Sequence, residues 1–349
     1  MHIYDYVQKF KANSSNFYDD LDLEDVDGKH AKIVASAYDQ IKNLTLDNFR
    51  TWTGQDDLDC PKQFYFDRGF LRGILRPIFY KVFKSRQEEL LLQSLRDDIS
   101  MLDTINGFSL ILDNPVHKTP GVKDFYSIFG TTVNFRWLRY IYLTKRILDT
   151  KILNSGGIWV DIGSYYGGLQ GLVKKYNPEA RIVMVDFQHQ LCRSYIYLSN
   201  LYPNATHILP NQAVQLKSFD SLPKGSITYV PATKFSHFAS FKAQLVSNFF
   251  SFGEMTHNAF DEYFSSDLVS KSESLFLVNR FVSAPFFEST YGTDLNILDY
   301  LKKERNIDYF DIFPMHHYML HDRYLFNRSG FRNSSSSYFE YISSLDGLI

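Results

Sequence analysis

Ile158-Trp159-Val160-Asp161-Ile162-Gly163-Ser164-Tyr165-Tyr166-Gly167-Gly168 is the stretch that decides how this chain is read. Gly157–Ile162 predicts a short apolar strand, and the glycines after it let the backbone turn sharply into a helix, Leu169–Tyr176. Asn177-Pro178 closes that helix, because proline cannot continue it. A second apolar strand, Arg181–Val185, follows and ends at Asp186. The next helix, Gln188–Leu201, stops before Pro203. Further strands are expected at Ile227–Val230, Gln244–Asn248 and Leu275–Asn279, with a helix at Thr256–Phe264 between the last two. Short apolar strands alternating with helices imply a parallel sheet covered on both faces, a Rossmann-like α/β fold. Tyr324–Asn327 suits a final strand.

Before the turn, apolar residues recur at helical spacing in Lys32–Lys42 and Leu71–Met101. A long helical pattern, Val133–Leu153, has Trp137, Leu138, Ile141, Tyr142 and Leu148 as its expected buried stripe. The organisation that follows is a helical N-terminal region (1–130), a Rossmann-like domain (131–333) and a C-terminal tail (334–349) set off by the serines 334–337.

The 349 residues carry 37 Lys and Arg against 39 Asp and Glu, so no global positive field calls for nucleic acid. The basic run Arg72–Arg86 reads as a solvated helix face. Two cysteines far apart, Cys60 and Cys192, form no disulfide framework and point to a reducing compartment. The first ten residues lack the pattern of a signal peptide, and no stretch has the length of a membrane helix. The expectation is a cytoplasmic protein.

In a doubly wound sheet a nucleotide lies across the strand tips. Gly163 and Gly167 are placed to let backbone approach it, and Asp186 lies 23 positions after Gly163, where a carboxylate can accept from two ribose hydroxyls. The turn lacks G-x-G-x-x-G, and Ser164-Tyr165-Tyr166 crowd the amides that a pyrophosphate would need. Asp161 stands where an acid can serve an amino-acid ammonium group. A sulfonium nucleotide, S-adenosylmethionine, fits these residues better than a dinucleotide. Tyr165 and Phe187 offer aromatic faces to the adenine and the sulfonium.

Val160–Gly168, Val185-Asp186-Phe187 and Tyr195-Ile196-Tyr197-Leu198-Ser199 resemble the sugar O-methyltransferases of bacterial polysaccharide clusters. The likeness continues in Asn114-Pro115 and the helix after it, Tyr229-Val230-Pro231, Asn248–Met255 and Leu277–Phe281, over roughly residues 110–330. The resemblance implies a class I, S-adenosylmethionine-dependent O-methyltransferase acting on a sugar hydroxyl of a surface glycan or a glycosylated metabolite. Two departures stand out: such motifs usually carry glycine at the position of Tyr165, and no acid follows Pro231 to hold adenine. Backbone near Ala232 and Thr233 is the expected substitute. An NAD-type oxidoreductase and a non-catalytic scaffold that has lost the cofactor remain the alternatives.

Transfer to a weakly acidic hydroxyl needs a base. His257 is the candidate, with Glu254, three residues earlier on the same expected helix face, orienting it or the sugar. Ser251-x-x-Glu254 also has the spacing of a helix capping box. Asn279 and Arg280, at the tip of the fifth strand, and His316 and His317 are candidates for the acceptor. His317 and His321 would share a face and with Asp322 could bind a metal. The helical metal pattern needs a third ligand at proper spacing and none is evident, so no metal is expected. The N-terminal region is a candidate to cover the acceptor site or to form a homo-oligomer.

Overall fold

Five parallel strands form the middle of the sheet: β1 (Ile158–Ile162), β2 (Arg181–Asp186), β3 (Ile227–Pro231), β4 (Leu245–Phe249) and β5 (Ser274–Arg280). The computed structural model describes residues 2–15, 17, 35–45, 48–50, 89–282, 295–316, 318–323, 328–333 and 338–345. Two more strands, β6 (Asn306–Ile312) and β7 (Tyr338–Ser344), complete one side of the sheet. A two-residue strand, His207–Ile208, edges the other. From that edge the order is β3-β2-β1-β4-β5-β7-β6. β7 runs antiparallel to both β5 and β6, so β6 points the same way as the first five strands. The result is the expected Rossmann-like α/β sheet, with one antiparallel strand between the fifth and sixth parallel ones.

Helices cover both faces: α1 (Ile3–Ala12), α2 (Phe135–Thr150), α3 (Gly168–Tyr176) and α4 (Gln188–Leu201) on one, α5 (His257–Phe264) on the other. β1 shows why the strands read as unbroken apolar runs, since all five of its residues are buried. Trp159 and Asp161 turn toward α2 and α3, while Ile158, Val160 and Ile162 meet Phe235, Phe260 and their neighbours beyond the sheet. Asn134 caps α2, its side chain accepting from the Trp137 amide at 2.8 Å, and Lys151 ends it in a left-handed conformation (φ 53°). The buried stripe of α2 closes on Ile147 rather than Leu148, which is only half-buried.

The N-terminal region is not a separate layer. Tyr6 and Phe10 of α1 meet Tyr195 of α4 at 5.7 and 5.9 Å between ring centroids, and Phe10 reaches Tyr229 of β3 at 6.1 Å. Leu95, Ile99 and Leu102, on a helix spanning 89–104, join the same core. The boundary expected at 131 falls within a hairpin, Tyr126–Ile128 paired with Thr131–Val133. The expected tail is likewise corrected. Tyr338–Ser344 is β7, buried along its whole length between β5 and β6. The expectations at Arg72–Arg86, Cys60, His317, Tyr324–Asn327 and 334–337 lie outside the described residues, as do the side chains of His321 and Asp322. Among the described residues, no helix is long and apolar enough to cross a membrane.

Candidate functional site

Parallel strands β1, β2, β3, β4 and β5 end on one edge of the sheet, with neighbouring tips about 4.8 Å apart. The turn after β1 is held by its neighbours. The Gly163 amide donates to the Val185 carbonyl at 2.8 Å, and Gly163 adopts φ +78°. A Cβ there would lie 2.0 Å from Ser251 Oγ, so only glycine lets the loop after β4 close on the turn. Asp186, half-buried at the tip of β2, accepts from the Tyr165 amide through Oδ2 and from the Phe187 amide through Oδ1, each at 2.8 Å.

Tyr165 stands in the left-handed region at φ +53°, a conformation glycine adopts without the 1–2 kcal/mol or so that a side chain costs. Its hydroxyl donates to the Arg50 carbonyl at 2.9 Å, and the Arg136 guanidinium lies 4.5 Å from its ring centre. Phe250, just past β4, is also left-handed at φ +71°. Two aromatic residues in this costly conformation thus stand at neighbouring strand tips.

Asp161 points beneath the turn rather than into solvent, because strand alternation sends it to the same face as Trp159. It is 2% exposed, and Ser247 Oγ, itself receiving Trp159 Nε1–H at 2.7 Å, donates to its Oδ1 at 2.5 Å. Gln170 Nε2 donates to the other oxygen. Burial pushes the Asp161 carboxyl up to about 8; the Ser247 hydrogen bond opposes this, nearby Asp186 adds to it, and the Gln170 bond opposes it. Asp161 thus ties β1 to β4 and α3.

A pH dependence follows. Between about pH 4 and about pH 8 the folded protein holds a proton that the unfolded chain has lost, so stability falls as pH rises. Asp161→Asn should flatten that slope by up to about 1.4 kcal/mol per pH unit. Urea unfolding near pH 5 and near pH 8 measures it, and equal slopes in variant and wild type would contradict the assignment.

Ser164 is buried, and its Oγ has no hydrogen-bond partner among the described residues. The same holds for the buried Oγ1 of Thr233, in the turn Ala232–Phe238 that follows β3. These hydroxyls flank Asp186 on the tips of β1 and β3. Phe187 stacks on His189, with ring centres 5.9 Å apart.

Beyond β4 the expectation changes more. Met255 and Thr256 are extended (ψ 157° and 158°), so α5 begins only at His257 and Glu254 does not share its face. The capping box is absent: Thr256 Oγ1 caps α5 by accepting from the Ala259 amide at 3.3 Å, and Ser251 Oγ accepts from Asn248 Nδ2 at 2.6 Å. His257 instead meets Asp261 along the helix at 3.2 Å. Glu254 is solvent-exposed at the end of the short turn Phe252–Glu254. Loss of hydration raises its carboxyl, and Arg280 and Arg136 oppose that.

Asn279 is fully buried. Its Nδ2 donates to Asn248 Oδ1 at 3.0 Å, so it fastens the loop after β4 instead of facing a ligand. Arg280 donates from Nε to the Tyr338 hydroxyl at 3.1 Å. His316, in the segment after β6, faces Asp98 with Nδ1 2.7 Å from Oδ1, and its amide donates to the same oxygen at 3.0 Å. Sequence reasoning missed Asp98, Arg136 and Arg139. One signal was present for Arg136, since a cation in the first turn of a helix opposes its dipole.

No protein-family model matches the sequence, and no curated protein matches it. Solved structures similar to the chain include a protein named as a methyltransferase from Bacillus halodurans (9% identity, 58% of this chain and 98% of that one, TM-score 0.37). An rRNA methylase from Streptococcus thermophilus is similar at 13% identity over 59% of this chain and 96% of that one, TM-score 0.32. The methyltransferase domain of a bacterial Hen1 is similar at 11% over 61% and 100%, TM-score 0.33. The strand order, rather than these scores, defines the fold.

Proposed function

We propose that this chain is an S-adenosylmethionine-dependent O-methyltransferase that modifies a sugar hydroxyl of a surface glycan or a glycosylated metabolite. The observation that carries the reading is Asp186 at the tip of β2, flanked on the neighbouring tips by the hydroxyls of Ser164 and Thr233, which have no hydrogen-bond partner among the described residues. Three adjacent tips span about 10 Å, the reach of a nucleoside. In this arrangement Asp186 accepts from the ribose hydroxyls, Ser164 and Thr233 bond to the polar atoms above them, and Phe187 offers a ring face.

When bound, S-adenosylmethionine supplies an electrophilic methyl group. Glu254, past the tip of β4, feels the charges of Arg280 and Arg136, and these three groups are suited to orienting a hydroxylated acceptor. The sugar itself rests on the resemblance of the sequence segments. Incubation with methyl-labelled S-adenosylmethionine and five acceptor sets (free sugars, nucleotide-linked sugars, polysaccharide, RNA, protein) tests it. Alkali-stable label in one carbohydrate set is expected; label confined to RNA or protein would contradict the sugar reading.

A further inference from the structure

The transfer needs a proton acceptor, and α5 carries His257 away from Glu254. A second histidine is held in a form suited to the task. Asp98 is 1% exposed on the helix at 89–104, and its Oδ1 accepts from both the ring Nδ1 and the amide of His316. Its Oδ2 has no hydrogen-bond partner among the described residues. Arg139 Nη1 donates to the His316 carbonyl at 3.4 Å, so the backbone on both sides of the ring is pinned. With Nδ1–H directed at the carboxylate, the neutral ring carries its lone pair on Nε2. A base oriented by a buried third group is the arrangement that activates hydroxyl nucleophiles on unrelated folds.

The location agrees. β6 runs parallel to β1, so the chain past Ile312 emerges on the same edge as the cofactor turn. Arg136 and Arg139 lie one helical turn apart on α2; the first covers Tyr165 of the turn, and the second contacts His316. Arg139 also lies 5.3 Å from the ring centre of Phe250, and Phe313 packs on that ring at 5.5 Å. His316 and the turn that would hold the methyl donor thus meet successive arginines of the same helix.

We propose that His316 is the catalytic base of the transfer and that Asp98 is its positioning residue. The proposal rests on the methyl-transfer reading above. As the acceptor oxygen forms its bond to the methyl carbon, the C–S pair returns to sulfur and the hydroxyl proton passes to His316 Nε2, which later releases it to water. The hydrogen bond that the ring donates to Asp98 raises the imidazole's proton affinity, burial opposes this, and the charges of Asp98 and Asp97 add to it; the Arg139 guanidinium meets the His316 carbonyl.

The test uses the full chain, labelled methyl donor and the carbohydrate set that wild type labels. His316→Gln should lower kcat by roughly 10²-fold or more while S-adenosylhomocysteine affinity, measured by calorimetry, stays at the wild-type value. Asp98→Asn should shift the acid limb of the rate profile to lower pH, and His257→Gln should keep wild-type turnover. Wild-type turnover in His316→Gln, or an unmoved limb in Asp98→Asn, overturns the assignment. So does loss of S-adenosylhomocysteine affinity along with turnover, which would make the pair structural. Absence of label from wild type overturns the methyl-transfer reading and the base assignment together, and is thus distinguishable from failure of the base alone.

Discussion

Asp186→Ala is expected to lower affinity for S-adenosylhomocysteine by roughly 10²- to 10⁴-fold. Two ribose hydroxyls donating to an ionised carboxylate are worth about 1.5–3 kcal/mol each, and alanine removes both. The carboxylate also accepts from the Tyr165 and Phe187 amides, so alanine strands two half-buried donors and slackens the turn. That second effect costs about 1–3 kcal/mol per donor in folding stability. Asp186→Asn separates the two, because its carbonyl oxygen can keep one amide while the charge is lost. Calorimetry paired with urea unfolding should rank affinity as wild type, Asn, Ala. Wild-type affinity in the alanine variant would place the nucleotide elsewhere.

Glu340→Ala is expected to cost about 3 kcal/mol of stability, the low end for breaking a buried ion pair, because the Arg146 side chain left behind is 18% exposed. Glu340 is fully buried in β7, where Oε2 accepts from the Tyr142 hydroxyl at 2.6 Å and Oε1 from Arg146 Nε at 2.7 Å. Both partners project from α2, so this carboxylate fastens the antiparallel strand to the helix that also carries Arg136 and Arg139. Burial raises the Glu340 carboxyl, and Arg146 opposes that most strongly. Glu340→Gln keeps an acceptor for Tyr142 and should lose less. Removing the arginine as well, in Arg146→Leu with Glu340→Leu, should recover much of the loss. Urea unfolding measures all three, and an alanine cost under about 1 kcal/mol would mean that the pair is solvated.

The parallel strands and their helices were legible because each is a short β-branched or aromatic run punctuated by Gly, Pro or Asn. β7 was not. Tyr338–Ser344 follows a serine run and carries a glutamate at its centre, whose partners lie 194 and 198 residues away on α2. No local pattern announces a strand whose polar residue is satisfied by so distant a helix. Exposed on one edge, β6 lacks the apolar run that marks the others.

The site divides in the same way. Asp186 and the glycines follow from chain order, since a strand and its turn are contiguous. Asp161 and Asn279 are polar residues of strands buried on both faces, and there polarity reads equally as a ligand contact or as an internal hydrogen bond. The Asp98–His316 contact joins residues 218 positions apart, and only the fold brings them together. The helix face expected to unite Glu254 and His257 does not form, because two extended residues, Met255 and Thr256, separate them.

Calorimetric titration of the wild-type protein with S-adenosylhomocysteine, S-adenosylmethionine and NAD tests the central claim most directly. Saturable binding of the first two near one per chain, with no heat from NAD, is the predicted result. Binding of NAD alone, or of none of the three, would contradict it.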